Sequence, residues 1–360
     1  METELLKLQE RVLTANANRT PLQLHGGRTK DFYGESLAGE PLDLSGYRGI
    51  VDYEPSELVL TARCGTPLAE IETALAEQGQ CLAFEPPRFG GGGPGARNAS
   101  ATWGGVIATG LSGPGRLQAG AVRDFVLGAS LLAADGELLN FGGRVMKNVA
   151  GFDVARLLCG SLGIFGIMTE VSVKVLPKPR AEESLRLEMP APEAVEAFNR
   201  WAGQPLPISA AAWNEGAAWV RLSGAEPAVR AASKIIGGDR VFPGLAKKWW
   251  NALRDYTHPL FLDSCVWRVS VPSVAAPLPL PAEPLIDWGG ALRWYAGDFA
   301  ADEVRRLAIA AGGTALRWRG ECPGSRFHPL PSPLIEIHRR LKSSFDPEGI
   351  FNPGRLLAGL

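Results

Sequence analysis

The groups in this chain best suited to chemistry belong to the main chain, on three glycine-rich loops. The first is PLQLHGGRTK, residues 21–30, where a short strand pattern runs into Gly26-Gly27 and then Arg28, Thr29 and Lys30. Consecutive N–H groups in such a turn make a concavity for phosphate oxygens, and the missing Cβ atoms permit close approach. Thr29 adds a hydroxyl donor. Alone, the segment is better explained as a plain turn. The second loop runs through ATWGG, residues 101–105, and ATGLSGPG, residues 108–115. Rich in glycine and hydroxyls and nearly uncharged, it reads as a loop threaded past a neutral, polar, planar ligand. The third, GSLGIFGI at 160–167, would let another segment or a ring system lie on its backbone. None of these is a G-x-G-x-x-G between strand and helix with an acid about 20 residues on, and no P-loop occurs. A Rossmann NAD enzyme or an NTPase is disfavoured.

Side chains offer less. The cysteines, Cys64, Cys81, Cys159, Cys265 and Cys322, form no C-x-x-C pair, and the histidines are scattered, so zinc and iron–sulfur spacings are absent. An odd, dispersed set of thiols suggests a reducing compartment. There is no Glu-His pair to act as a base, and His258, His328 and His338 stand alone. Arg293 in GGALRW, and Arg317 with Arg319 in ALRWRG, could hold a carboxylate bidentately. Cross-strand surface charges explain them more simply, which leaves Arg293 a weak candidate for a catalytic cation and the catalytic residues otherwise unassigned.

These loops need a scaffold, and 360 residues with 46% apolar content suffice for two domains with a sizeable core. The formal net charge of -1 argues against a nucleic-acid partner, which needs a basic surface. METELLKLQERV reads as a charged amphipathic helix, not a signal peptide. No uncharged apolar run approaches the ~18 residues of a membrane span. The expectation is a cytoplasmic protein that reaches the inner membrane only peripherally, through partners.

Within the first half, residues 58–64 read as a strand and the following segment as a helix capped by Thr66, with Pro67 at its first position and Gly79 as its stop. Asp135-Gly136 reads as a type I′ hairpin turn, and Asp153 as the cap of a short helix. Residues 167–175 alternate as a half-buried strand. Leu176-Pro-Lys-Pro marks a boundary. Beyond it, strands and helices follow a split-βαβ pattern in two α+β layers, with a proline-rich connector at 271–284. A last helix leads to Asn352-Pro353-Gly354-Arg355.

In this order the loops resemble the FAD-binding domain of the PCMH-type flavoproteins, the vanillyl-alcohol-oxidase superfamily. There the Gly-Gly turn cradles the FAD pyrophosphate, a T-x-G-G segment and a glycine-rich loop line the ribityl chain and flavin, and a G-S-x-G-x-x-G-[IV] turn sits against the adenine. RGIVDYEPSELVLTARCGTPLAEIE, VRDFVLG, FGGRVMKNVAGFDVARLL, IDWGGALRW and FNPGR further resemble the E subunits of glycolate oxidase, with the segment from Gly90 to Ser100 an apparent insertion. The resemblance implies an α+β fold: a PCMH-type FAD-binding domain of two α/β subdomains at 1–179, a ferredoxin-like cap domain at 180–325, and a C-terminal helix and NPG turn at 326–360 returning to the flavin domain. It carries cofactor contacts onto Gly26, Gly27, Arg28, Thr29, Thr102, Gly104, Gly105, Gly110, Ile167 and Asn352. Covalent attachment in this superfamily commonly uses a histidine directly after the Gly-Gly pair. That position holds Arg28, so FAD is expected to be non-covalent, with His25 structural. No metal site is expected.

The function so implied is an FAD-binding subunit of a glycolate oxidase (glycolate dehydrogenase) complex that oxidises glycolate, a small 2-hydroxy acid, to glyoxylate. Its partners would be a sister FAD-containing catalytic subunit and an iron–sulfur subunit, with this chain's FAD serving structure or electron relay. The alternatives are a self-sufficient FAD-dependent 2-hydroxy-acid dehydrogenase and a flavin-free scaffold subunit of the same complex.

Overall fold

The computed structural model describes residues 2–89, 100–143, 152–320 and 324–360. The Gly90 to Gly95 run, Cys322 and the middle of FGGRVMKNVAGFDVARLL lie outside the described residues. Helix α1 (Glu2–Asn18) leads into β1 (Leu22–His25), which pairs in parallel with β2 (Glu40–Asp43). Phe351, from the far end of the chain, bridges to Leu22, also in parallel. Val12, Leu22, Ile167, Ile350 and Phe351 share the core beneath this small sheet.

The chain then passes through β3 (Ile50–Glu54), β4 (Val59–Arg63), α2 (Leu68–Glu77), β5 (Gln80–Cys81), α3 (Trp103–Thr109), α4 (Arg116–Ala119), β6 (Val126–Leu132), β7 (Leu138–Gly142), α5 (Val154–Leu157), β8 (Ile167–Lys174) and β9 (Leu176–Pro177). Strands β3-β4-β8-β6-β7 form an antiparallel sheet in that order, and β5 pairs with β9. Leu68, Ile71 and Leu75 of α2 and Trp103, Val106 and Ile107 of α3 pack with Leu60, Val171 and Val173 of the sheet. Burying several such side chains, at about 1.5–3 kcal/mol each, supplies the main drive for joining helices to sheet.

Three local expectations are corrected. The hairpin at Asp135-Gly136 forms, but only Gly136 has positive φ (81°), and its N–H donates to the Ala133 carbonyl. The turn is type I with a glycine bulge, fixed by the Asp135 carboxylate accepting from the Glu137 N–H. Thr66 does not cap α2, because its hydroxyl bonds the main chain of Gly49. Strand β8 is more buried than its alternation suggests: Met168 and Ser172 on the second face are buried and Glu170 and Lys174 partly so, with the Ser172 hydroxyl met by that of Thr61 at 2.7 Å.

The second half begins with β10 (Ala181–Glu188), α6 (Ala191–Ala202), β11 (Ile208–Asn214), β12 (Ala217–Gly224), α7 (Glu226–Ile236), β13 (Asp239–Arg240) and α8 (Pro243–Arg254). It continues with β14 (Val266–Ser270), β15 (Leu285–Asp287), β16 (Leu292–Ala296), α9 (Ala301–Ala310), β17 (Thr314–Arg319) and α10 (Ser332–Phe345). Its eight strands make one sheet, in the order β13-β10-β12-β11-β15-β16-β14-β17. That order is two split-βαβ units joined edge to edge through β11 and β15. In the second unit the proline-rich connector stands where the first unit has α6. The strongly amphipathic α8, absent from the sequence expectations, links the two units and buries Ala246, Trp250 and Leu253.

Candidate functional site

Strand β1 delivers the chain to Gly26 and Gly27 hard against the start of α3. A Cβ on Gly26 would lie 2.3 Å from the Thr102 Oγ1, and one on Gly27 1.7 Å from the Ser100 carbonyl oxygen. No side chain fits at either position. Arg28 then adopts a left-handed φ of 55°. Among the described residues, the N–H groups of Gly26, Gly27, Arg28 and Thr29 have no protein acceptor. Consecutive donors freed in this way form an anion-binding nest.

Two adjoining hollows open at this turn, with about 520 and 480 Å³ of empty space including their mouths. Both are lined by Gly26, Thr102, Gly105 and Asn352, so they form one trough. Gly163, Gly166 and Ile167 wall one end; Lys30, Tyr33 and Arg355 wall the other. Arg28, exposed, and Thr29, buried, line the trough beside the nest.

The ATWGG segment is not an extended loop. Thr102 is the N-cap of α3 and accepts from the Gly105 N–H at 3.4 Å. The Trp103 and Gly104 N–H groups bond the carbonyls of Thr66 and Cys64. Gly104 borders the trough but answers to packing, because its Cβ would stand 2.8 Å from that of Cys64. Gly110 does not line the trough. It ends α3 at a φ of 61° and lets the helix approach the third loop, where a Cβ would be 3.3 Å from the Gly160 nitrogen. Thr102 and Gly105 therefore line the trough from the cap and first turn of a short helix, not from an extended loop.

Asn352 reaches the trough as a clamp. Its Oδ1 accepts from the Leu24 N–H and its Nδ2 donates to the Leu162 carbonyl, both at 2.7 Å. One side chain thereby fixes β1 to the third loop. Arg355, which the sequence did not single out, donates to the carbonyls of Asp31, Tyr33 and Glu35 and so shapes the segment after the nest. Burial pushes its pKa down to about 10. Behind the third loop, the buried Lys342 donates to the Ile164 carbonyl (2.6 Å), the Phe351 carbonyl (2.7 Å) and the Asp346 carboxylate (2.5 Å). The terminal helix is thus bonded to two walls of the site.

Lys30 also went unassigned, although it closes the first motif. It is 8% exposed and has no carboxylate partner among the described residues. Its Nζ lies 3.4 Å from the Thr29 hydroxyl and 5.5 Å from the Phe89 ring centroid. Desolvation lowers its pKa to about 8. Around it gathers an aromatic group from both halves of the chain, with Phe89 stacked on Tyr256 and Phe32 edge-on to Trp318. His25 lines the trough with its Nδ1 3.8 Å from Asp43.

Arg293 is corrected. It is fully buried away from the trough, and its guanidinium donates to the carbonyls of Ala275, Ala276 and Gly290. It pins the proline-rich connector to β16. Arg317 lies 4.5 Å over the Trp267 ring, near Asp298.

A family model described as an FAD binding domain matches residues 4–142. Over 98% of its length the chain is 47% identical to the glycolate oxidase subunit GlcE of Escherichia coli, covering 97% of that protein. The chain belongs to this family. It is 26% identical to the D-lactate dehydrogenase of Archaeoglobus fulgidus over 96% of its length and 88% of that enzyme's. Among solved structures, alkyldihydroxyacetonephosphate synthase superposes with a TM-score of 0.67 at 15% identity, covering 96% of this chain and 75% of the other. That likeness, one of fold, spans both halves of the chain.

As a member of the family, the chain is an FAD-dependent oxidoreductase subunit with FAD as its cofactor. The trough fits that group. Among the described residues it offers an unpaired nest and a flanking arginine for a pyrophosphate, glycine surfaces without side chains, and a buried cation with no carboxylate partner. Among the described residues no group of three His, Cys, Asp or Glu could hold a metal, and no helix is long and apolar enough to cross a membrane.

Proposed function

We propose that this chain is the FAD-binding subunit of a glycolate-oxidising complex, working beside a sister FAD-containing subunit that carries the substrate chemistry and an iron–sulfur subunit that takes electrons onward. Residues 1–179 and the returning 326–360 would hold the cofactor, with 180–325 as the cap. The observation that carries this reading is the near end-to-end similarity to a protein named as one subunit of glycolate oxidase. A 34% identical stretch of 136 residues shared with the Bacillus subtilis subunit GlcD supports a sister chain of related build.

In this reading Gly26, Gly27, Arg28 and Thr29 bind the pyrophosphate without a covalent bond. Thr102 and Gly105 border the ribityl chain, the Ile167 end takes the adenine, and the Lys30 end takes the flavin ring. Gly104, Gly110 and Asn352 position those walls. Bound there, FAD supplies a two-electron acceptor for the hydride of a 2-hydroxy acid or for electrons relayed from the sister subunit. That end is lined by Arg28, Lys30, Asp31, Tyr33 and Arg355, and among the described residues it holds no Glu-His pair to act as a base, which favours relay over direct turnover.

The test is to purify the chain alone and with its candidate sister subunit, then add glycolate without oxygen. The isolated chain should be yellow and keep its oxidised flavin spectrum, while the two-subunit sample should bleach. Prompt bleaching of the isolated chain would establish a self-sufficient dehydrogenase, and a folded but colourless chain a scaffold. Either result overturns the proposal.

A further inference from the structure

We propose that Lys30 is the electrostatic partner of the flavin ring, a buried cation that stabilises the negative charge the ring gains on reduction. The inference rests on the reading that the trough holds FAD with its adenine at the Ile167 end. A linear dinucleotide with its pyrophosphate on the central nest must then place its ring at the Lys30 end. That end is lined by Lys30, Asp31, Tyr33, Leu37 and Arg355, with Phe89 behind the Lys30 ammonium and Tyr256 and Trp318 packed beyond it.

The argument starts from cost. An ammonium removed from water without a counter-charge is unfavourable by several kcal/mol, and buried charges are ordinarily paired. The other buried lysine of this site, Lys342, is paired, with Asp346. Among the described residues Lys30 has only a distant hydroxyl and a ring face, yet it lines the trough. The charged groups facing its segment are Arg28, Asp31 and Arg355, with the His25 imidazole beside them. Asp31 is the sole carboxylate among them, and it forms no ion pair with Lys30. No carboxylate among the described residues supplies the missing charge, which on this proposal comes from the ligand.

The central nest, with four free N–H groups and Arg28, already serves a pyrophosphate. Beyond it, two electrons and one proton entering the oxidised ring leave it with one net negative charge. That charge appears where Lys30 has no partner. Lys30 is therefore a positioning and tuning residue for the cofactor. It favours the reduced ring over the oxidised one.

The experiment compares the wild-type chain with Lys30→Met, which keeps the length of the side chain, and Lys30→Arg, which keeps the charge. Bound flavin is titrated reductively with dithionite against a reference dye, and the affinity for oxidised FAD is measured separately. The Met variant should hold oxidised FAD nearly as well as wild type but bind the reduced form about tenfold less tightly, a midpoint potential about 30 mV lower for a two-electron couple. The Arg variant should restore most of that difference. An unchanged potential with FAD still bound would sink the inference while leaving the FAD site intact. Equal loss of both redox forms, sensitive to salt, would assign the cation to the pyrophosphate and overturn it as well. A wild-type chain that binds no FAD would remove the trough reading itself, an outcome distinct from the other two.

Discussion

Lys342→Met is the substitution that should most weaken the link between the terminal helix and the cofactor site. The methionine fills nearly the same space, so little packing is lost. What goes is an ammonium that donates to Asp346, to Ile164 of the third loop and to Phe351 beside β1. The two side chains of the pair are 7% and 0% exposed, so water cannot take over either role. Asp346 keeps the N–H groups of Ile350 and Phe351 but is left as a buried carboxylate without a cation. Removing one member of a buried pair costs roughly 3–5 kcal/mol, and two orphaned carbonyls favour the upper part of that range. Urea denaturation of the cofactor-free chain should show this as a lower midpoint at unchanged slope. Asp346→Asn should also destabilise, and the double variant should cost less than the two singles together. A loss for Lys342→Met below about 1 kcal/mol would refute the claim that this pair fastens the helix. Additive singles would refute the coupling.

Two further outcomes follow from the site. Gly27→Ala must push its methyl into the Ser100 carbonyl, 1.7 Å from the ideal Cβ position, so the turn should distort and FAD should be lost on gel filtration while the far-ultraviolet circular dichroism stays folded. Retention of the yellow colour would show that the turn does not bind the cofactor. For the cofactor-free chain, the Lys30 pKa falls from 10.5 to about 8 on folding. The unfolded state therefore holds the extra proton between these values, and stability should rise with pH across that window, by about 3 kcal/mol at ~1.4 kcal/mol per pKa unit. Lys30→Met should abolish that rise and be the more stable protein at neutral pH. An identical pH profile for the two would refute the buried-cation assignment.

Much of this architecture was legible because local rules and global packing agree. The α2 face of Leu68, Ile71 and Leu75, the Asp153 cap and the split-βαβ repeat all appear in the structure. The failures have physical causes. The T-x-G-G segment carries so much glycine that its helix could not be inferred from propensity; it forms because Thr102 caps it and the Cys64–Thr66 strip accepts its first N–H groups. Arg293 looked like a free guanidinium on an alternating strand. Its carbonyl partners lie in the proline-rich connector, some 17 residues away in sequence, a contact no periodicity reveals. Lys30 was in view within the first motif, but only its burial without a counter-charge distinguishes it from any basic residue after a turn. Arg355 and Lys342 act across separations of 320 and 178 residues, respectively, so their roles emerge only in three dimensions.

These long-range contacts explain why the site is made of main chain. A nest of free N–H groups holds its shape only if the backbone on both sides is fixed, and glycine, with no side chain to pack, cannot fix itself. The fixing groups therefore come from the far end of the chain. Phe351 bridges to β1, Asn352 ties β1 to the third loop, and Arg355 gathers the carbonyls after the nest. The contacts these three make with β1, the third loop and the segment after the nest all link residues more than half the chain apart in sequence. The trough is complete only when residues 350–355 have docked, and a ligand that prefers the completed trough must in turn stabilise that docking. On the proposed reading, cofactor binding should stabilise the docked C-terminal segment, which Lys342 and Asp346 hold from behind.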